Sequence, residues 1–145
     1  MAQLKDTTIQ GNLNASNIDT EILSVNNITV VDYVIEQGVS GVWKYRKWSS
    51  GRMELWAKIV GTSVSVSNTW GSVYTYDHAI AAQNYPFAFA ENPVVVMTPE
   101  TEGSNFWLFT GSNGTTTMSP SVSIARPTSV SVKPVINFYV MGRYS

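Results

Sequence analysis

The chain has a single histidine, His78, and it stands beside Asp77. An imidazole near a carboxylate is the raw material of general acid–base and nucleophilic catalysis. Adjacency along the chain does not create a dyad, and any of many serines could be asked to complete a Ser-His-Asp set. No Gly-x-Ser-x-Gly elbow is present to present one. Beyond the first hairpin the carboxylates are only Asp77, Glu91, Glu100 and Glu102. Two of them approaching each other would make a glycosidase pair, which nothing in their spacing requires. Pro99-Glu100-Thr101-Glu102-Gly103 reads as a solvated turn, and it matches no calcium-loop pattern. Without cysteine or a second histidine, no conventional zinc cluster can form. Gly111-Ser112-Asn113-Gly114-Thr115-Thr116 has the glycines of a phosphate loop but not its Lys-Ser/Thr ending, so a hairpin turn explains it better. The expectation is a protein that is not an enzyme and carries no metal or cofactor.

Aromatic residues are the richer signal. Trp43, Trp48, Trp56, Trp70 and Trp107 are joined by Tyr45, Tyr74, Tyr76, Tyr85, Phe87, Phe106 and Phe109. Rings beside Asn, Asp or Ser suit sugar rings or a protein partner, and the same rings are ordinary material for a compact β core. Most are assigned to the core. Trp70, Tyr74, Tyr76 and Trp107, with Asn105 and Asn113, are the ligand candidates because turn-rich Ser, Asn and Gly segments adjoin them. For those too, packing in the core or between subunits competes with ligand contact.

Charge narrows the class further. Nine basic and ten acidic residues give a net charge of −1, and no basic run forms a nucleic-acid footprint. Charged residues make up 13% of the chain, about half the usual share, so Ser, Thr and Asn must keep the surface wet. The start Met1-Ala2-Gln3-Leu4-Lys5-Asp6 lacks the apolar core of a secretory signal. No apolar run approaches the roughly 20 residues that a membrane span needs.

Two regions must position these residues. Residues 1–31 contain no aromatic side chain and repeat the phrases Asn12-Leu13, Asn17-Ile18 and Asn27-Ile28 at spacings that fit neither a heptad nor a helical stripe. Asn and Gly there favour short strands broken by turns, with a coiled coil around Ile18–Val25 as the alternative. Its sparse apolar residues, Ile9, Leu13, Ile18, Ile22, Val25 and Ile28 among them, cannot bury one another alone. They must lie on the main domain or in an intertwined oligomeric stem.

Residues 32–145 read as short strands divided by turns. After Thr29–Glu36 come Gly41–Trp48 and Arg52–Val60, joined by Ser49-Ser50-Gly51, which has the length and the glycine of a three-residue hairpin loop. The simplest register sets Trp48 opposite Arg52, Arg46 opposite Glu54 and Lys44 opposite Trp56, with Arg46 and Glu54 as a charge pair. Trp43, Tyr45 and Lys47 then share the other face with Ala57, Leu55 and Met53. Further strands are expected at Ser63–Ser67, Gly71–Tyr76, Phe87–Phe89, Val94–Thr98, Asn105–Thr110, Ser121–Ala125 and Val135–Tyr144. Prolines fall at or near their ends. His78–Asn84 is the single weak helix candidate. The expected fold is all-β, an antiparallel sandwich or irregular barrel head on a short intertwined stem.

Asp32-Tyr33-Val34-Ile35-Glu36-Gln37-Gly38 followed by the run Trp43 to Trp56 resembles the C-terminal head domain of phage and prophage tail-fibre or receptor-binding proteins. Tyr85-Pro86-Phe87-Ala88-Phe89, Asn92-Pro93-Val94-Val95-Val96 and the ending Ile136 to Tyr144 are similar to the same family in the same order. The likeness covers about residues 32–144. It implies a homotrimer with a β-rich head on an N-terminal stem. It also implies synthesis in the host cytoplasm and placement in the virion at the distal tail or baseplate. Other tail or baseplate proteins and a bacterial surface glycan would be its partners, and neither nucleic acid nor membrane insertion is expected. A purely structural tail, baseplate or capsid decoration is the alternative, and a glycan-cleaving tail enzyme a more distant one. The matching hairpin and last strand look like scaffold, so no ligand-binding residue carries over.

Overall fold

The computed structural model describes residues 23–25, 28–30, 32–100 and 105–144. The chain divides between Val31 and Asp32. On the first side, β1 (Leu23–Val25) and β2 (Ile28–Val30) form an antiparallel pair in which Val25 lies opposite Ile28. Ile9, Leu13, Ile18 and Ile22, the other expected stem residues, lie outside the described residues.

The second unit is all-β, and every strand pairing in it is antiparallel. Five strands make the larger sheet in the order β3 (Val34–Ser40), β4 (Trp43–Trp48), β5 (Arg52–Val60), β13 (Val135–Arg143) and β9 (Val94–Glu100). A four-stranded sheet runs β10 (Trp107–Thr110), β11 (Val122–Arg126), β8 (Val73–Ile80) and β7 (Asn68–Trp70). A small pair joins β12 (Val130–Val132) to β6 (Val64–Val66).

Period-two patterning explains the larger sheet. In β5, Met53, Leu55 and Ala57 are buried while Arg52, Glu54 and Lys58 point away. β13 repeats the alternation with Ile136, Phe138 and Val140 inside. The β4–β5 register pairs Lys44 with Trp56, Tyr45 with Leu55, Arg46 with Glu54 and Lys47 with Met53, as the sequence suggests. Gly51 takes φ 83°, the left-handed turn that a side chain would oppose. The expected charge pair does not form in that register. Glu54 meets Arg52 at 3.7 Å instead, and the Arg46 guanidinium lies over the rings of Trp48 and Trp56.

One core joins the sheets. Trp43, Leu55, Phe138 and Val140 of the larger sheet share it with Ile80, Val122 and Ile124 of the smaller one, and with Val66 and Val132. Trp43 sits at its centre, 1% exposed, edge-on to Tyr85 and Phe138, with its indole N–H donated to the carbonyl of Asn84.

Two local expectations differ. His78–Asn84 is not a helix, because β8 continues to Ile80, which pairs with Val122 and is buried. Phe87–Phe89 is not a strand either. Its stretch lies along another irregular segment, with Tyr85 N–H donating to Thr117 and Phe89 N–H to Thr116. Phe89 makes one bridge to Tyr144.

Candidate functional site

The four-stranded sheet has one face in the core and one open. Tyr76 pairs with Ile124 and Tyr74 with Arg126, and both tyrosines pack against the core. Leu108 joins them from β10. The opposite face follows from the register. Trp107 lies beside Ala125, Ala125 beside Thr75, and Thr75 beside Asn68. Two residues along their strands, Phe109, Ser123, Val73 and Trp70 point the same way.

That arrangement leaves large rings at the edges and small side chains between them. Trp70 is 69% exposed and Trp107 59%. Thr75, Ser123 and Ala125 are buried in the middle. Trp70 and Phe109 reach toward each other over this floor, with ring centroids 6.3 Å apart. Gly71, at φ 59°, makes the tight turn that sets Trp70 opposite Val73. The paired positions of this face carry no formal charge, and exposed Asp77, next after Tyr76 on β8, is the carboxylate beside them. Flat, exposed, uncharged rings over a shallow floor suit the apolar face of a neutral ring ligand, while Asn68 supplies an amide at the rim.

A polar cluster borders this face where β8 bulges. His78 adopts φ 54°, and its backbone N–H donates to the hydroxyl of Ser123 at 3.1 Å. Its Nδ1 lies 2.7 Å from Ser121 Oγ, which is itself 2.9 Å from Ser112 Oγ. Gly111 closes the cluster, since a Cβ there would stand 2.5 Å from Ser123 Oγ. This is the serine–histidine contact that catalysis would ask for. Ser121, however, is only 3% exposed and its hydroxyl is shared between His78 and Ser112. A nucleophile must meet a substrate carbonyl, whereas this hydroxyl ties the bulge to the 111–121 loop. The buried serines were missed in the sequence because serine spacing says nothing about burial. Phe109 was also missed as a site residue, although its position two residues from Trp107 is a readable signal.

The expected ligand residues therefore separate. Trp70 and Trp107 share the open face, Tyr74 and Tyr76 lie on its core side, and Asn105 is exposed just before β10. Asn113 lines a separate shallow cleft with Asn92, Met97 and Pro120. Among the described residues, no group of three or more His, Asp or Glu side chains could hold a metal ion. No helix among them is long and apolar enough to cross a membrane. Comparison of the chain with protein-family models, with curated proteins and with solved structures gives no match.

Proposed function

We propose that this chain is the head of a phage tail or baseplate protein that binds a bacterial surface glycan as a homotrimer, without turning it over. The carrying observation is the pair of exposed tryptophans, Trp70 and Trp107, on one sheet face whose paired positions carry no formal charge. The tail assignment and the trimer rest on the resemblance of residues 32–144 to receptor-binding heads. In this reading the larger and smaller sheets form the two layers of a sandwich around the Trp43 core. The N-terminal region gathers copies, and repeated heads raise the avidity of individually weak sugar contacts.

The test is a neutral-glycan array read together with sedimentation of the free protein. Trp70→Ala or Trp107→Ala should weaken binding by about tenfold, the loss of one stacked ring, and leave sedimentation unchanged. If no glycan binds and the same substitutions break the assembly, the rings serve subunit packing and the decoration reading replaces this one. Sedimentation of the full chain as a monomer at micromolar concentration would remove the trimer.

A further inference from the structure

The outward face of the five-stranded sheet differs in chemistry from the Trp70 face. Its register places Lys44, Arg46, Arg52, Lys58 and Arg143 on one side with only Glu54 and Glu100. Five cations thus face two carboxylates on a chain whose net charge is −1. The carboxylates are already engaged. Glu100 pairs with Lys58 at 2.5 Å and accepts from the Asn137 amide, and Glu54 stands by Arg52. Among the described residues no carboxylate pairs with Lys44 or Arg46.

The positive charge is arranged around indole rings. The Arg46 guanidinium lies 5.7 Å from the ring centre of Trp48 and 5.8 Å from that of Trp56, and Arg52 lies 4.3 Å from Trp48. Arg46 Nε and Trp48 Nε1 are both buried without a hydrogen-bond partner. Such stacking holds a guanidinium in place without neutralising it, so the face keeps its positive charge.

A hollow of about 400 Å³ opens at the end of this face, lined by Val42, Lys44, Trp56, Lys58 and Asn137. It exists because β4 stops pairing at Lys44–Trp56, while β5 runs on to Val60. Trp56 supplies a half-buried wall, Lys44 an exposed ammonium and Asn137 an amide.

We propose that this hollow binds an anionic group carried on a sugar or polyol chain, a carboxylate or a phosphodiester, through Lys44 with the carbon skeleton against Trp56. The site is separate from the face at Trp70 and does not rest on the reading of that face. Two probes distinguish the sources of the shared oxyanion chemistry: an oligogalacturonate for carboxylate and a poly(glycerol phosphate) for phosphodiester. Titration of the full chain at low salt should show binding of at least one, weakened as salt rises. Lys44→Gln, at an exposed position that should fold normally, should weaken that binding roughly five- to tenfold. Trp56→Phe should weaken it less, and Trp70→Ala should leave it unchanged. Failure of both polymers to bind, or equal binding by Lys44→Gln, overturns the proposal. So does a change of sedimentation in the Lys44→Gln protein without ligand, which would make this face a contact between copies.

Discussion

Replacing Trp43 tests whether one core holds the two exposed faces in place. The indole is 1% exposed, touches Tyr85 and Phe138 edge-on at 5.3 and 6.0 Å, and donates to Asn84 O at 2.8 Å. Trp43→Ala removes on the order of 200 Å² of buried surface, worth about 5 kcal/mol at 25 cal/mol/Å². Burial counted against an extended chain is an upper bound, so the loss falls toward the 3–5 kcal/mol common for such truncations, at about 4 kcal/mol. Trp43→Phe keeps a ring but leaves the Asn84 carbonyl without its donor, so about 1.5–3 kcal/mol is expected. Urea unfolding followed by circular dichroism measures both, provided the slope with denaturant is unchanged. A double-mutant cycle with Tyr85→Leu should return a coupling of roughly 0.5–1.5 kcal/mol for the edge-on pair. A loss below about 1 kcal/mol for Trp43→Ala, against the range cited for buried rings, would falsify the single-core account.

Two further outcomes follow from buried polar groups. Burial pushes the Tyr85 phenol up to about 12 from its ordinary 10.0. The folded form holds its proton more tightly than the unfolded one, so this contribution is complete below pH 10 and is lost as pH rises toward 12. A stability profile across that window should fall by about 1–2 kcal/mol more than in Tyr85→Phe, allowing for partial solvent screening; parallel profiles would contradict the assignment. Ser123→Ala removes the acceptor of the His78 N–H from a fully buried position. It should cost about 1–3 kcal/mol by urea unfolding and speed hydrogen exchange at the His78 amide, and an unchanged amide would count against the bulge geometry.

The first hairpin was legible because every local signal agreed. Alternation placed Met53, Leu55 and Ala57 on one face, and Ser49-Ser50-Gly51 fixed the loop length, so the register followed. The charge pairing within it was not legible. Opposite positions bring Arg46 and Glu54 together only if both side chains extend straight across. Arg46 lies over two indoles, and Arg52, two residues from Glu54 on the same strand, takes the carboxylate. β7 and β12 were missed: Asn68-Thr69-Trp70 has no apolar alternation, and Val130-Ser131-Val132, the same triplet as β6, stands between Pro127 and Pro134, which read as loop. Phe87–Phe89 has the alternation of a strand but finds its main-chain partners in a loop, a tertiary fact with no local trace.

The site was half legible for a related reason. Period two separates Trp107 and Phe109 from Phe106 and Leu108, but both sets are apolar, so alternation alone leaves the inner face undecided. Ranking by size would put the tryptophan inside. The fold does the reverse, since Leu108 pairs with Ile124 on the core side and Trp107 pairs with Ala125 on the open side. The same inversion recurs across the sheet, where Tyr74 and Tyr76 pack against the core and Trp70 stays out. The open face has buried Thr75, Ser123 and Ala125 between its rings, and bulkier floor residues would fill the space over which Trp70 and Phe109 approach. Exposed tryptophan over a floor of small residues costs solvation that a sheet concerned only with its own stability would avoid. That local conflict between hydrophobicity and exposure, absent from Tyr74 and Tyr76, is what supports the proposal that Trp70 and Trp107 meet a ligand.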